Sequence, residues 1–205
     1  MKVRRIKELI ESLNKEEIEQ LRASLYEAPF PKDSSYEKFN KNDVSELALR
    51  IKKGFIEETK ETLMLQNEWG NSVAHELAQE SGKTGWTTDD KDILMLQNDN
   101  KMSVALWLAA NSNKTKWKTE DKEILMTQAT WGDSVAHNLA LNSYITKWYT
   151  NDKDILMLQD ENGRSVAHVL ANYPPTWTTE DIEILSLMNK WGRNVEDVLI
   201  ERRKM

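Results

Sequence analysis

The chain has no cysteine, only three histidines and no long apolar run among its 205 residues. Without cysteine it has no disulfides, no thiol catalysis and no cysteine-ligated zinc. Three histidines are too few for a histidine-rich metal centre, so we expect no metal and no cofactor. No stretch reaches the roughly eighteen apolar residues of a membrane span, so we expect no membrane partner. The N-terminus starts basic like a signal peptide, but Lys7, Glu8 and Glu11 stand where a signal peptide has an apolar run. We therefore predict a cytoplasmic protein.

Basic side chains are also in short supply. The chain carries 34 acidic and 28 basic residues, for a net charge of −6. Proteins that bind nucleic acid normally have a basic stripe, so we expect no direct contact with nucleic acid. The sequence contains no glycine-rich phosphate loop and no nucleophile elbow, and no set of histidine and carboxylate residues converges in it. We therefore predict that the protein is not an enzyme.

The main feature of the sequence is a repeated segment. The hexapeptides TLMLQN, ILMLQN, ILMTQA and ILMLQD begin at Thr62, Ile93, Ile124 and Ile155, in steps of 31 residues. The next step, to Ile184, is 29 residues. Each hexapeptide precedes a copy of a second motif, SVAHELA, SVALWLA, SVAHNLA or SVAHVLA. Such a period is typical of stacked repeats that bury their apolar faces against one another. We predict an all-α helical repeat solenoid.

The chain is predicted to have two parts. Residues 1–35 form an N-terminal helical hairpin and a linker, because apolar residues recur at helical spacing within residues 3–26. The amphipathic faces of this hairpin permit a homodimer through residues 3–26. The array occupies residues 36–205, with a cap at 43–65, repeats near 66–96, 97–127, 128–158 and 159–187, and a C-terminal cap at 188–205. The second helix of the first cap is predicted over residues 55–64.

Each unit follows one pattern. A serine (Ser72, Ser103, Ser134 or Ser165) is placed to cap the N-terminus of a helix. A polar loop then leads to a tryptophan (Trp86, Trp117, Trp148 or Trp177). The threonine two residues later (Thr88, Thr119, Thr150 or Thr179) is predicted to cap a short second helix. The acidic residues that follow suit the positive end of that helix.

The second motif also resembles a known family. In Gly70–Ala78, Gly132–Ala140 and Gly163–Ala171, a turn glycine precedes Ser-Val-Ala-His-x-Leu-Ala. This is similar to the Gly-x-Thr-Pro-Leu-His-x-Ala-Ala motif of ankyrin repeats, although the proline is absent and the period is shorter than the usual length of about 33 residues. The resemblance implies L-shaped units of two antiparallel helices with a projecting turn. Such units stack into a curved strip that binds proteins through turn tips and inner helices.

Residues that recur in every unit are predicted to be structural. His75, His137 and His168 share one repeat position, filled by Leu106 in the second repeat. The resemblance implies that each histidine makes a hydrogen bond to a neighbouring turn. The four tryptophans that lead the second helices are predicted to pack in the seam between units. Met64, Met95, Met126 and Met157 are predicted to fill the core.

Residues that do not repeat are the candidates for a partner site. In the family geometry the turn tips carry Trp69, Asn100, Trp131, Asn162 and Trp191. Their indoles either are exposed as interface anchors or fold back onto the turns, and both alternatives stay open. The site is centred on Lys101, Met102 and Trp107, where the second repeat departs most from its sisters. Arg164 and Arg193 add positive charge at the turn.

These observations lead to two hypotheses about function. The first is a non-enzymatic module that binds a protein partner through its turn tips and inner helix face. The alternative is an acidic decoy that mimics a nucleic-acid backbone and inhibits a nucleic-acid-handling protein, because acidic residues recur at the start of each second helix. Lys91, Lys122 and Lys153 lie within the same runs and weaken this acidic field, which favours the first hypothesis.

Overall fold

The computed structural model describes residues 43–173 and 176–204. The predicted N-terminal hairpin at 1–35 and the homodimer through residues 3–26 lie outside the described residues. Within them the structure has fourteen helices and no strand, and it confirms the predicted all-α repeat solenoid. None of these helices is long and apolar enough to cross a membrane.

In chain order the helices are α1 (Val44–Lys52), α2 (Lys60–Leu63), α3 (Val73–Gln79), α4 (Ser81–Thr84), α5 (Lys91–Leu94), α6 (Val104–Ala110), α7 (Ser112–Thr115), α8 (Lys122–Met126), α9 (Val135–Leu141), α10 (Ser143–Thr146), α11 (Lys153–Met157), α12 (Val166–Asn172), α13 (Ile182–Leu185) and α14 (Val195–Arg203). We call α3, α6, α9 and α12 the inner helices, α4, α7 and α10 the linking helices, and α2, α5, α8, α11 and α13 the outer helices. The inner helices pack on one another in chain order, with α1 packed on α3 and α14 packed on α12 at the two ends of the column, and the linking helices also pack on one another in chain order.

Reciprocal caps start three of the four inner helices. The Ser72 hydroxyl oxygen accepts a hydrogen bond from the backbone N–H of His75 at 3.2 Å, and Nδ1 of His75 accepts one from the N–H of Ser72 at 3.0 Å. The same box opens α9 and α12. In α3, Val73, Ala74 and Leu77 are fully buried. Burying a Val or Leu side chain stabilises a fold by about 1.5–3 kcal/mol, so the column of inner helices forms the core.

The segment predicted as a polar loop contains the linking helices, so this prediction was wrong. Each linking helix is followed by a C-cap residue with left-handed backbone: Gly85 (φ 76°), Lys116 (φ 63°) and Lys147 (φ 58°). The linking helices α7 and α10 are each joined to the preceding unit by the amide side chain of the asparagine that precedes the helix. Asn111 donates to the carbonyls of Ala78 and Gln79, both at 3.1 Å, and Asn142 does the same one unit later.

The outer helices begin two residues later than predicted. The Asp90 carboxylate, not Thr88, caps α5 by accepting hydrogen bonds from the N–H groups of Asp92 and Ile93. A carboxylate is favoured there because it also interacts with the positive end of the helix. Likewise, the helix predicted over residues 55–64 is only α2, because Thr59 caps it and the N–H of Phe55 closes the turn after α1.

Three of the four seam tryptophans are buried as predicted. Trp117, Trp148 and Trp177 are at most 6% exposed, and their indole N–H groups donate to the carbonyls of Thr88, Thr119 and Thr150 of the preceding units. Trp86 is half-buried and donates to Glu58. The methionine prediction was wrong. Met64 and Met126 are exposed, while Met95 and Met157 are half-buried, because the single turn of each outer helix buries the two residues before the methionine.

Candidate functional site

The hairpin turns between outer and inner helices are stabilised by hydrogen bonds within each turn. In the first turn, Oδ1 of Asn67 accepts hydrogen bonds from the N–H groups of Trp69 and Asn71, at 3.1 and 3.0 Å. Asn98, Asp160 and Asn189 play the same part in later turns. Neighbouring turns are also joined, since the carbonyl of Trp69 accepts the N–H of Asp99 at 3.1 Å, and three further turns repeat this bond. The side chains at the tips are therefore not needed to build the turns.

The tryptophans at the turn tips are exposed rather than folded back. Trp69 is 58% exposed, Trp131 is 39% exposed and Trp191 is 67% exposed. No described residue accepts a hydrogen bond from their indole N–H groups. The intervening tips carry Asn100, which is exposed, and Asn162, which is half-buried. Packed helices lie about 8–10 Å apart, so alternate tips present an indole roughly every 16–20 Å along the array.

Lys101 occupies a strained position in the second turn. Its φ is 56°, which matches the φ of 72° at Gly70 and confirms that the lysine adopts the glycine conformation. A side chain disfavours this conformation. In the third turn the glycine is also required by space, because a Cβ on Gly132 would lie 2.9 Å from the Cα of Asp160. Lys101 itself is exposed and available to a partner.

Trp107 and Met102 differ in accessibility. Trp107 is half-buried on the inner helix α6, like Glu76 and Asn138 at the same position, whereas Val169 there is buried. Met102 is only 7% exposed, so it does not belong to the accessible surface on which we placed it from the sequence. Its unbranched apolar side chain is buried where sister units have polar residues.

The two turn arginines already have acidic neighbours. Nε of Arg164 lies 3.1 Å from Oδ2 of Asp160, and its Nη2 lies 3.6 Å from Oδ1 of Asp133. Arg193 pairs with Glu201. Both arginines are exposed, and together with Trp191 and other residues they line a cavity of about 230 Å³ at the last inner helices.

The histidines join consecutive units. Nε2 of His75 lies 2.9 Å from the carbonyl of Met102, and His137 and His168 reach the carbonyls of Arg164 and Arg193 at 3.0 and 3.2 Å. Because a backbone N–H donates to each Nδ1, each ring carries its proton on Nε2 and donates it to the next turn. Burial holds the pKa of all three below the ordinary value of 6.5. Leu106 makes no such bond, so the junction between the second and third repeats lacks it.

Lysines and carboxylates form a ladder along the outer helices. Nζ of Lys60 lies 3.0 Å from Asp90 and 2.6 Å from Asp92 of the next unit. The same triad recurs with Lys91, Lys122 and Lys153. Hydrogen bonds to Asp92 and Asp90 raise the pKa of Lys60, and the bond from Lys60 lowers the pKa of Asp90. One carboxylate in each of the acidic runs that suggested a nucleic-acid mimic (Asp90, Asp121, Asp152 or Asp181) is thus paired with a lysine of the preceding unit.

The described part of the chain contains no group of three or more histidine and acidic residues that could hold a metal ion. Sequence reasoning missed the asparagines that join the linking helices, although Asn111 and Asn142 recur at a step of 31 residues. It also missed two exposed tyrosines, Tyr144 and Tyr149, which have no counterpart in sister units.

Comparison with solved structures gives a distant likeness. No family model and no curated protein matches the chain. This chain is similar to a chain in the solved structure of the predatory endopeptidase Bd0816 from Bdellovibrio bacteriovorus in complex with the immunity protein Bd3460. The identity is 18%, the TM-score is 0.41, and the alignment covers 80% of this chain and 89% of that chain. This likeness assigns no function.

Proposed function

We propose that this chain is a non-enzymatic protein-interaction module of the ankyrin type. It binds a protein partner through its turn tips and the inner helix face near Lys101 and Trp107. The observation that carries the proposal is the contrast between two sets of tryptophans. Those that recur in every unit use their N–H groups within the fold, whereas Trp69, Trp131 and Trp191 are exposed and their indole N–H groups donate to no described residue.

Exposed indoles suit protein recognition for a physical reason. Each offers a large rigid apolar body and one hydrogen-bond donor, so it loses little entropy when a partner covers it. Burying such an anchor in a partner pocket contributes about 2 kcal/mol or more where it is a hot spot. Lys101 adds an exposed positive charge in the turn that precedes α6, the helix that carries the half-buried Trp107.

The experiment uses substitutions that the array already tolerates. Asn100 and Asn162 stand at two tips, so Trp69→Asn, Trp131→Asn and Trp191→Asn should leave the turns intact. The partner is captured from the source cells with the unaltered chain, identified by mass spectrometry, and its affinity is measured for each variant. We expect the triple variant to bind at least about tenfold more weakly at an unchanged melting temperature. Unchanged affinity would refute a role for the tips.

The alternative, an acidic decoy of a nucleic-acid-handling protein, predicts a different result. Binding through the outer-helix carboxylates would weaken steeply with salt, since exposed charges are screened. Tip-mediated binding would depend on salt only weakly. We favour the tips because Lys60, Lys91, Lys122 and Lys153 already pair with the carboxylates.

A further inference from the structure

One position of the outer helices faces forward along the array, because its side chain pairs with carboxylates of the next unit. Lysine occupies this position in four consecutive units: Lys60, Lys91, Lys122 and Lys153. In α13 the same position is Ile182, and its side chain is 80% exposed. The last unit therefore exposes an apolar side chain where its sisters direct a charge at a neighbour.

Two further forward-facing positions of the last unit also carry large apolar residues. Gln66 and Gln128 donate to backbone carbonyls of the next unit, at 3.5 and 3.2 Å, and Met188 stands at their position with 58% of its surface exposed. On the inner helix α14, exposed Ile200 replaces an alanine that is fully buried in the preceding units (Ala78, Ala109, Ala140 and Ala171). We call Ile182, Met188 and Ile200 the end face. A terminal repeat normally has a polar outer face, so these residues favour a partner that covers them.

The charges on α14 form two groups of opposite sign on either side of Ile200. Glu196 and Asp197 lie one helical turn before it, and Arg203 and Lys204 lie one turn after it. All four are exposed, and their spacing of three or four residues places them on the same side of the helix as Ile200. One carboxylate oxygen of Asp197 completes the helix cap. The side chains of Glu196, Arg203 and Lys204 make no hydrogen bond or ion pair with a described residue.

We propose that the end face binds the end face of a second copy of this chain about a two-fold axis, with the two α14 helices antiparallel and crossing at Ile200. Glu196 then lies opposite Lys204 of the second copy, and Asp197 lies opposite Arg203 of the second copy, because each pair is evenly spaced about Ile200. The same rotation brings Ile182 and Met188 of one copy against the outer segment of the other.

The order of the charges selects this arrangement and this partner. Parallel α14 helices would set like charges against one another, which opposes association. The antiparallel arrangement gives an apolar centre with a charged rim, the usual composition of a protein interface. A two-fold contact uses the same surface on both copies, so assembly stops at the dimer and leaves the turn tips of both copies open.

The first test measures the mass of the full chain by sedimentation equilibrium over a range of concentrations. We expect a reversible change from monomer to dimer. The variant Ile182→Lys with Met188→Gln copies the sister units, so it should fold normally by circular dichroism. It should dissociate at a concentration at least about tenfold higher, because it loses apolar anchors of the interface. Its melting temperature is compared with that of the unaltered chain at a concentration where both are monomers.

The second test uses the symmetry of the charge pairs. Glu196→Lys and Lys204→Glu should each weaken the dimer, because each places two pairs of like charges across the axis. An equimolar mixture of the two variants should dimerise again, since both pairs then join opposite charges. If either variant fails to fold by circular dichroism, the Ile182→Lys and Met188→Gln variant decides.

Four results would overturn the proposal. They are a monomer at every concentration, a mass that grows beyond the dimer as in head-to-tail stacking, a dimer that withstands the end-face variant, and a mixture of folded charge variants that stays monomeric. Ile10→Glu, in the predicted N-terminal hairpin, is the control and should leave the dimer intact. Loss of the dimer in this variant alone would assign the contact to residues 3–26 instead.

Discussion

The column of inner helices and the column of linking helices obey different rules. The inner helices continue through the described part of the chain, and their fully buried Val, Ala and Leu residues barely vary from unit to unit. The linking column has three members there, and one of its positions changes from Gly82 to Asn113 to Tyr144. Where the next unit covers a position, packing dictates the residue. Where a position is exposed, packing does not dictate the residue, which can then serve another role. Departures from the repeat are therefore better guides to function than the repeat itself.

The largest effect on stability is expected from a deletion that shifts the inner helices out of their repeat register. Deleting residues 93–123 removes one whole unit of 31 residues and lets each remaining unit meet an equivalent neighbour. This protein should stay helical by circular dichroism with a lower melting temperature. Deleting residues 93–107 places unlike faces together and should abolish the cooperative transition. Equal damage from the two deletions would disprove modular stacking.

The next effect separates seam from surface tryptophans. Trp148 is 2% exposed and donates to the carbonyl of Thr119 at 3.2 Å. Trp148→Ala should therefore reduce the free energy of unfolding by about 3–5 kcal/mol in chemical denaturation. Trp107→Ala, at a half-buried position that Glu76 and Asn138 also fill, should cost less than about 1.5 kcal/mol. A larger loss for Trp107→Ala would make that residue part of the core rather than of a partner surface.

A smaller effect tests the histidine junctions by pH. Because burial lowers the pKa of His75, His137 and His168, the unfolded chain takes up protons near pH 6.5 while the folded protein does not. Stability should therefore be level above about pH 7 and fall as the pH drops below about 6.5, by up to about 1.4 kcal/mol per pH unit for each histidine. His137→Leu, which copies Leu106, should fold without a change in metal content and lessen this slope. An unaltered slope would show that His137 does not contribute to the pH dependence of stability.

The smallest effect concerns a single turn. Lys101→Gly should raise the free energy of unfolding by up to about 1 kcal/mol, because glycine accepts a φ of 56° without strain. Gly132→Ala is the opposing control and should destabilise, since its Cβ would meet Asp160 at 2.9 Å. Thermal melting of both variants gives the comparison. A loss of stability in Lys101→Gly would mean that the lysine side chain supports its turn.

The sequence predicted the features that its own periodicity encodes. Repeated apolar residues and serines fixed the inner helices and their caps, and repeated tryptophans predicted the seam. The linking helices were missed because four residues are too few to show a helical period, and such short helices depend on tertiary contacts. The outer-helix caps were misplaced because Thr88 and Asp90 are both good N-caps.

The candidate site was less predictable than the fold. Exposure of the tip tryptophans depends on how the turns bond internally, and no local pattern reports that. Met102 looked like surface because its sisters Asn71, Asp133 and Arg164 are polar, yet an apolar side chain at that position is buried. The cavity lined by Tyr144 and Tyr149 needs two units side by side to be seen, although both tyrosines stand out from their sister positions in the sequence.

The bonds between units all have a direction, and this has a mechanical consequence. At a typical junction a lysine and a histidine reach forward, while an indole and an asparagine of the next unit reach back. Once one unit peels away under tension, its whole set of junction bonds is released together. Under tension we expect such an array to yield in discrete steps, each freeing about 31 residues, or roughly 100 Å of extended chain, while the units beyond stay folded.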